Sequence, residues 1–280
     1  MIPVVTVITP VYNAEAYLKN LLHSVVSQIG VSVEHVLIND GSTDGSLIIL
    51  RDWERRFPSV VKVLTRENRG QYASMNDGLA MASGDLILFL CADDRLAFPD
   101  SLAKAKTAWQ HSRKPDVIHG RWRIIDHAGQ LLSGPVLTGP LPRKVVRYVY
   151  LISHCAMLIR RDALLSSGIR FDSTLHTTGD FDFILQLIEQ DFSFRFTRAV
   201  VADYRLHGNQ ASRTSDQVRH HLEISTLRRR YNLSPVLCWL GGSIRKGLLG
   251  AASVLRYVKR NEYRSCRYDQ PCRTGQRKES

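Results

Sequence analysis

The chain has 280 residues, 44% of them apolar and 23% charged, with a formal net charge of +12. That length suits one large α/β domain, or a domain with an appendage, of ordinary globular composition. The charge calls for an anionic partner, but residues 1–100 carry more acidic than basic side chains, which argues against a nucleic-acid groove built into the first sheet. The five cysteines, Cys91, Cys155, Cys238, Cys266 and Cys272, form no CxxC pair and no framework, so reduced thiols in a cytoplasmic protein are expected. The start, MIPVVTVITP, lacks the charged head and cleavage site of a signal peptide. No apolar run approaches the roughly 18 residues of a spanning helix.

Residues 4–9 form an apolar, β-branched strand that stops at Pro10. A helix follows, with Leu18, Leu21, Leu22, Val25 and Ile29 at core spacing. The second strand, 33–38, ends in Asn39-Asp40-Gly41-Ser42-Thr43-Asp44-Gly45 before a helix over 46–57. Such a cluster is either a turn and helix cap or a nucleotide pocket in which Asp40 accepts from a base or ribose. A third strand, 60–65, leads through Arg66-Glu67-Asn68-Arg69-Gly70 into a helix over 71–83. There Asn76, Gly78, Ala80 and Ala82 would allow close approach to the sheet or to a diphosphate, and Arg69 is a candidate phosphate contact.

The fourth strand, 86–90, is an unbroken apolar run, as expected of a strand buried on both faces. It ends at Asp93 and Asp94. Ligands of open α/β sheets sit beyond the carboxyl ends of the strands, and paired carboxylates there suit a divalent cation that also holds phosphate oxygens. A solvated turn is the plain alternative. Beyond it, a helix over 99–110, a strand over 116–125, a hairpin turn at Asp126-His127-Ala128-Gly129 and a Gly/Pro-rich loop over 133–143 are predicted. A short helix over 143–152 and a strand over 156–160 follow. The polar stretch 172–182 then enters a helix over 181–190 with Phe183, Leu187 and Ile188 facing inward; Asp180 and Asp182 fall at its first turn. A strand over 194–206 ends at His207.

From residue 213 the character changes. A helix over 213–231 precedes a segment, 235–260, with Leu237, Leu240, Ile244, Leu248, Leu255 and Val258 on one side and Arg245, Arg256, Lys259 and Arg260 on the other. That pattern fits a helix lying in an anionic membrane surface, or one packed on the main domain with a solvated basic side. The tail over 263–280 is polar and is expected to be disordered.

Four motifs, Thr9-Pro10-Val11-Tyr12-Asn13, Asn39-Asp40-Gly41-Ser42-Thr43-Asp44, Asn68-Arg69-Gly70 and Ala92-Asp93-Asp94, occur in an order and spacing that resemble family 2 nucleotide-sugar glycosyltransferases of the GT-A type. The resemblance is strong over 1–112 and continues to about 215, and is nearest to bacterial members that assemble colanic acid, lipopolysaccharide and exopolysaccharide. It implies a Rossmann-like, doubly wound mixed sheet over 1–215, divided at 112/113 into a donor half and an acceptor half, with a C-terminal helical extension over 216–262. It implies inverting transfer from a nucleoside-diphosphate sugar to a saccharide or lipid-linked saccharide acceptor, with Mg2+ or Mn2+ as cofactor and no nucleic acid partner. A peripheral position on the inner face of the cytoplasmic membrane fits that acceptor. Asp40 would meet the nucleobase, with Pro10, Tyr12 and Asn13 shaping the pocket. Asp93 would lie toward the ribose and Asp94 on the metal, Asp180 would be the base, and His207 would approach the metal or diphosphate. Two positions depart from the family: Cys91 stands where many relatives carry an acid, and Gly179 where relatives often carry Glu. A nucleotide-sugar-binding protein with little or no transferase activity is the alternative. No Gly-rich loop followed by Arg lies near the start to suggest a sugar-nucleotide pyrophosphorylase.

Overall fold

The computed structural model describes residues 4–136, 139–140, 142–148, 152–208 and 217–248. Its first half alternates strand and helix: β1 (Val4–Val11), α1 (Glu15–Val26), β2 (Ser32–Asp40), α2 (Ser46–Arg56), β3 (Val61–Arg66), α3 (Gln71–Met81) and β4 (Leu86–Phe89). Here β1 lies between β2 and β4, and β3 pairs with β2, all in parallel. Because successive side chains of a strand point to opposite faces, Leu86, Leu88 and Leu90 join one core layer while Ile87 and Phe89 join the other. Helices α1 and α2 close the first layer through Leu18, Leu21, Leu22, Val25, Leu50 and Trp53. Helix α3 closes the second through Tyr72, Met75 and Leu79. Burial on both faces explains why β4 reads as a continuous apolar run.

The second half adds β5 (Arg95–Leu96), α4 (Ser101–His111), β6 (Val117–Ile125), β7 (Leu131–Ser133), α5 (Arg143–Val146), β8 (Met157–Arg160), α6 (Arg161–Ser167), α7 (Gly179–Glu189) and β9 (Phe194–Arg205). Helices α8 (Gln217–Arg230) and α9 (Pro235–Leu248) follow. Among the described residues one sheet runs β3-β2-β1-β4-β8-β6-β9-β5, with β7 beside β6. The strands added to β4 are mixed in direction. β8 is antiparallel to both β4 and β6, β6 is parallel to β9, and β5 is antiparallel to β9. Helix α8 is joined to the second core layer by Leu227, which is fully buried. Among the described residues no helix is long and apolar enough to cross a membrane.

Several expectations are corrected. Ile29 lies beyond the end of α1 and is 61% exposed, while Leu18, Leu21, Leu22 and Val25 are buried. Gly78 does bring α3 onto the sheet, since a Cβ there would overlap Ile8. Ala80 instead faces solvent. Asn76 exchanges two hydrogen bonds with the Phe171 backbone, donating at 2.8 Å and accepting at 2.9 Å, so it ties the two halves of the chain together. The predicted helix over 143–152 is only the single turn of α5, and residues 149–151 lie outside the described residues. So do 213–216, the segment 249–260 of the predicted amphipathic helix, and the tail over 263–280.

Candidate active site

The carboxyl ends of β1, β2 and β4 bring three loops together. Asn13 follows β1 in a left-handed backbone (φ 47°). Its Oδ1 accepts the Thr43 amide at 2.8 Å, and its own amide donates to Ser42 Oγ at 3.1 Å. Asp44 accepts the amides of Glu15 and Ser46 at 3.1 and 3.0 Å, and Glu15 returns the contact by accepting the Gly45 amide at 2.8 Å. Burial raises the Asp44 carboxyl, but these hydrogen bonds outweigh it and hold the group below the usual range. For residues 42–45 the turn-and-cap reading therefore accounts for the residues present.

Asp40 ends β2 and is 2% exposed. Its two oxygens accept the amides of Arg69 and Gly70 at 2.9 and 2.8 Å, and its carboxylate pairs with Arg66. It thus fixes the turn that opens α3, where Gly70 takes φ 89°, a backbone that favours glycine. The Arg69 guanidinium donates to Asp77 at 2.5 Å yet stays 58% exposed, and Tyr12 beside the cleft is 54% exposed. Pro10 is buried within β1.

Beyond β4, Asp93 and Asp94 lie between the first and second halves of the sheet. The Asp94 carboxylate is 1% exposed and its Oδ1 accepts the Arg205 amide at 2.9 Å. Arg205, itself buried, donates from Nε to the Asp93 carbonyl at 2.7 Å and from Nη1 to the carbonyls of Asp126 and His127, each at 3.1 Å. His207 Nε2 lies 2.9 Å from Asp93 Oδ2, and the His207 ring packs 4.8 Å from that of Tyr17. Burial, then the adjacent Asp93 charge, push the Asp94 carboxyl well above the ordinary range, against the lowering pull of Arg205. Ligand atoms of Cys91, Asp93 and Asp94 all lie within 4.8 Å of one another. A buried carboxylate crowded by a second one fits a divalent cation, whose charge offsets both. The Cys91 thiol contributes less, because burial and then the Asp94 and Asp93 charges keep it protonated, and a neutral thiol is a poor ligand for hard cations.

Asp180 approaches this cluster from the first turn of α7. Its Oδ1 accepts the Phe181 amide at 2.8 Å, and its Oδ2 lies 3.7 Å from His154 Nδ1. The other ring nitrogen of His154, Nε2, is 3.4 Å from Cys91 Sγ. The acids beyond β4 and the acid on α7 are therefore linked through Cys91 and His154. Tyr72, in the first turn of α3 just after the turn that Asp40 organises, packs against the start of α7. Its ring sits where a Cβ on Gly179 would be, 2.6–2.7 Å away, so only glycine lets α7 start against it. Burial and then the Asp180 charge raise the Tyr72 phenol.

Helix α8 holds the start of α7 from behind. Glu223 accepts the amides of His176 and Thr177 at 2.9 and 3.0 Å and the hydroxyls of Thr177 and Thr178 at 2.9 and 3.0 Å. The fully buried Asp182 accepts Arg230 Nη1 at 3.0 Å and the Tyr231 hydroxyl at 2.8 Å.

The sequence pattern of glycosyl transferase family 2 matches residues 6–165, more than half of the chain. The chain belongs to that family. YibD of Escherichia coli, an uncharacterised glycosyltransferase, is 27% identical over 249 residues, which cover 81% of this chain and 70% of that protein. The minor teichoic acid biosynthesis protein GgaB of Bacillus subtilis is 25% identical over 83% of this chain, which matches only 26% of its own length. Among solved structures, Staphylococcus aureus TarS 1-349 in complex with UDP-GlcNAc superposes with a TM-score of 0.63 at 20% identity, covering 76% of this chain and 61% of that one. The Pyrobaculum calidifontis mannosyltransferase PcManGT, in complex with GDP-Man and Mn2+, gives 0.60 at 18% identity over 90% of this chain and 76% of that one. These likenesses show a GT-A fold, and the chain spans under two thirds of TarS 1-349.

Of the residues expected from the sequence, Asp93, Asp94 and His207 lie together beyond β4, Asp180 reaches them through His154 and Cys91, and Tyr12, Asn13, Asp40 and Arg69 lie at or just beyond the carboxyl ends of β1, β2 and β3. The Asp40 oxygens are engaged by their own chain, so its expected part at the nucleobase begins from an ordered turn rather than a bare carboxylate. Sequence reading missed His154, Tyr72 and Glu223, and it gave Arg205 no part of its own. His154 lies in no recurring pattern, and Glu223 sits on a helix whose polar residues look uniformly solvated.

Proposed function

We propose that this glycosyltransferase moves a sugar, with inversion, from a nucleoside-diphosphate donor to a hydroxyl of a saccharide acceptor during assembly of a bacterial surface polysaccharide. The observation that carries the reading is the chain of contacts from the acid on α7 to the acids beyond β4: Asp180 lies 3.7 Å from His154, His154 lies 3.4 Å from Cys91, and Cys91 clusters within 4.8 Å of Asp93 and Asp94. Asp94 and Asp93, with His207 behind them, would hold Mg2+ or Mn2+, which stabilises the charge that grows on a departing diphosphate. Asp40 orders the turn that meets the nucleoside, beside Pro10, Tyr12, Asn13 and Arg69. Asp180 takes the proton from the acceptor hydroxyl as that oxygen attacks the anomeric carbon from the face opposite the diphosphate. Proton transfer of this kind contributes on the order of 100- to 10,000-fold. Complexes of TarS with UDP-GlcNAc and of PcManGT with GDP-Man and Mn2+ support the donor class and the cation.

The acceptor we infer is lipid-linked and met at an anionic membrane surface. Helix α9 leaves Val236, Leu237, Trp239 and Leu240 exposed, and the sequence after it is rich in Lys and Arg. An apolar face beside basic residues binds anionic bilayers. The decisive experiment is a screen of nucleotide sugars for thermal stabilisation and nucleotide release, with and without Mn2+. Stabilisation by one donor, enhanced by Mn2+ and followed by turnover, is expected. Stabilisation without turnover favours a binding protein, and no response to any donor refutes both.

A further inference from the structure

Resting on Asp180 as the base, a second residue can be assigned a part in the same step. His154 lies in the 3-10 turn, His154–Ala156, that opens β8. β8 pairs antiparallel with β4 in the register Leu86↔Arg160 to Leu88↔Leu158, and continuing that register sets the turn against Cys91. Sheet pairing therefore fixes the histidine more firmly than a loop would. Its Nε2 is 3.4 Å from Cys91 Sγ. On the other side of the ring Nδ1 faces a carboxylate oxygen, which only accepts, so a neutral imidazole set between these two neighbours carries its proton on Nδ1 and leaves Nε2 to accept from the Cys91 S–H. Nδ1 is buried, has no hydrogen-bond partner among the described residues, and stands 3.7 Å from Asp180 Oδ2. A buried polar group left unpaired costs about 1–3 kcal/mol, and catalytic hydrogen bonds that are long in a free enzyme commonly tighten when substrate binds.

We propose that His154 is a positioning residue for the base, set by Cys91 so that its Nδ1–H is aimed at the Asp180 carboxylate. With Oδ1 held by the Phe181 amide, a bond from His154 to Oδ2 would lock the plane of the carboxylate. Each oxygen has two lone-pair sites, so capacity remains to accept the proton of the acceptor hydroxyl. Both departures from the family pattern bear on this contact: Cys91 touches His154, and Gly179 adjoins Asp180.

The test pairs a spectroscopic readout with kinetics. Two-bond proton–nitrogen NMR of the 15N-labelled protein, with His154 assigned by its absence in His154→Ala, should show the Nδ1–H form. Cys91→Ala should convert it to a mixture of both tautomers. Release of nucleoside diphosphate is then followed with UDP-GlcNAc and GDP-Man. His154→Ala should lower kcat by about 10- to 100-fold, as expected for a misplaced reacting group, with donor KM changed less than about twofold. His154→Asn, which returns an N–H near the Nδ1 position, should recover part of the loss. An Nε2–H form in the parent protein overturns the inference. So does parental kcat in His154→Ala when Asp180→Asn is inactive. Parental turnover in Asp180→Asn removes the base assignment itself, and this inference with it.

Discussion

Replacing Glu223 tests how far the C-terminal helices govern the catalytic cleft. Its carboxylate gathers two amides and two hydroxyls from residues 176–178, immediately before the turn that carries Asp180. In Glu223→Ala the exposed His176 amide and the half-buried Thr177 amide turn to water, at about 0.5–1.5 kcal/mol each. The Thr178 hydroxyl belongs to a residue only 2% exposed, and losing its acceptor costs about 1–3 kcal/mol. The sum is about 4 kcal/mol, which lowers Tm by about 8–16 °C in a domain of this size. Glu223→Gln keeps one acceptor oxygen and should lose about half as much. Burial raises the Glu223 carboxyl, but its hydrogen bonds outweigh that and hold it below the usual carboxylate range. Its stabilisation is therefore complete above the unfolded value and lost as pH falls through the lower folded value. Scanning calorimetry should show the parent–mutant gap in Tm at pH 7 shrinking below about pH 4. A Tm within about 1 °C of the parent at pH 7 refutes the clamp. A large loss of Tm with unchanged kcat at low temperature refutes its link to Asp180.

Three further outcomes are expected. Gly179→Ala drives a Cβ into the Tyr72 ring at 2.6–2.7 Å and should cost about 1–3 kcal/mol. Tyr72→Ala in the same chain should relieve it, giving a non-additive double-mutant cycle in urea unfolding. Asp94→Asn keeps an acceptor for the Arg205 amide while removing a buried charge. Its metal-free Tm should equal or exceed the parent's, and stabilisation by Mn2+, about 2.7 kcal/mol at a hundredfold excess over Kd, should disappear; retained stabilisation would remove Asp94 from the cation site. Deleting residues 233–280 should abolish co-sedimentation with vesicles containing anionic lipid, and equal partitioning of both forms would end the membrane reading.

The first half of the chain was legible because its central strands are buried on both faces. Apolar runs such as Leu86–Phe89 announce themselves, and the acids at their carboxyl ends follow from topology. Asp180 was legible from its place at a helix start, together with the family pattern. The second half was harder. Strand β5 has two residues, too few for any periodicity. Helix α6 has seven, and its clearest mark is the left-handed Gly168 that ends it (φ 71°). The antiparallel entry of β8 between β4 and β6 leaves no trace in strand–helix alternation, because it depends on pairing between distant segments. The same pairing hides His154, which meets Cys91 across 63 positions of sequence. Asp40 shows the reverse case: its motif was plain in the sequence, but its pairing with Arg66, Arg69 and Gly70 is visible only in three dimensions.

The tiny strand β5 follows Asp94 directly and is stitched to β9 at Arg95↔Asp203 and Leu96↔Ala202, with the buried Asp203 held by both Arg95 and Arg123. The chain that leaves Asp94 is consequently bound directly into the second half of one continuous sheet. Adaptation to a substrate then falls to chain lying outside the strands. Engineering a new sugar preference should accordingly start with those coverings, leaving the spacing between cation site and base untouched.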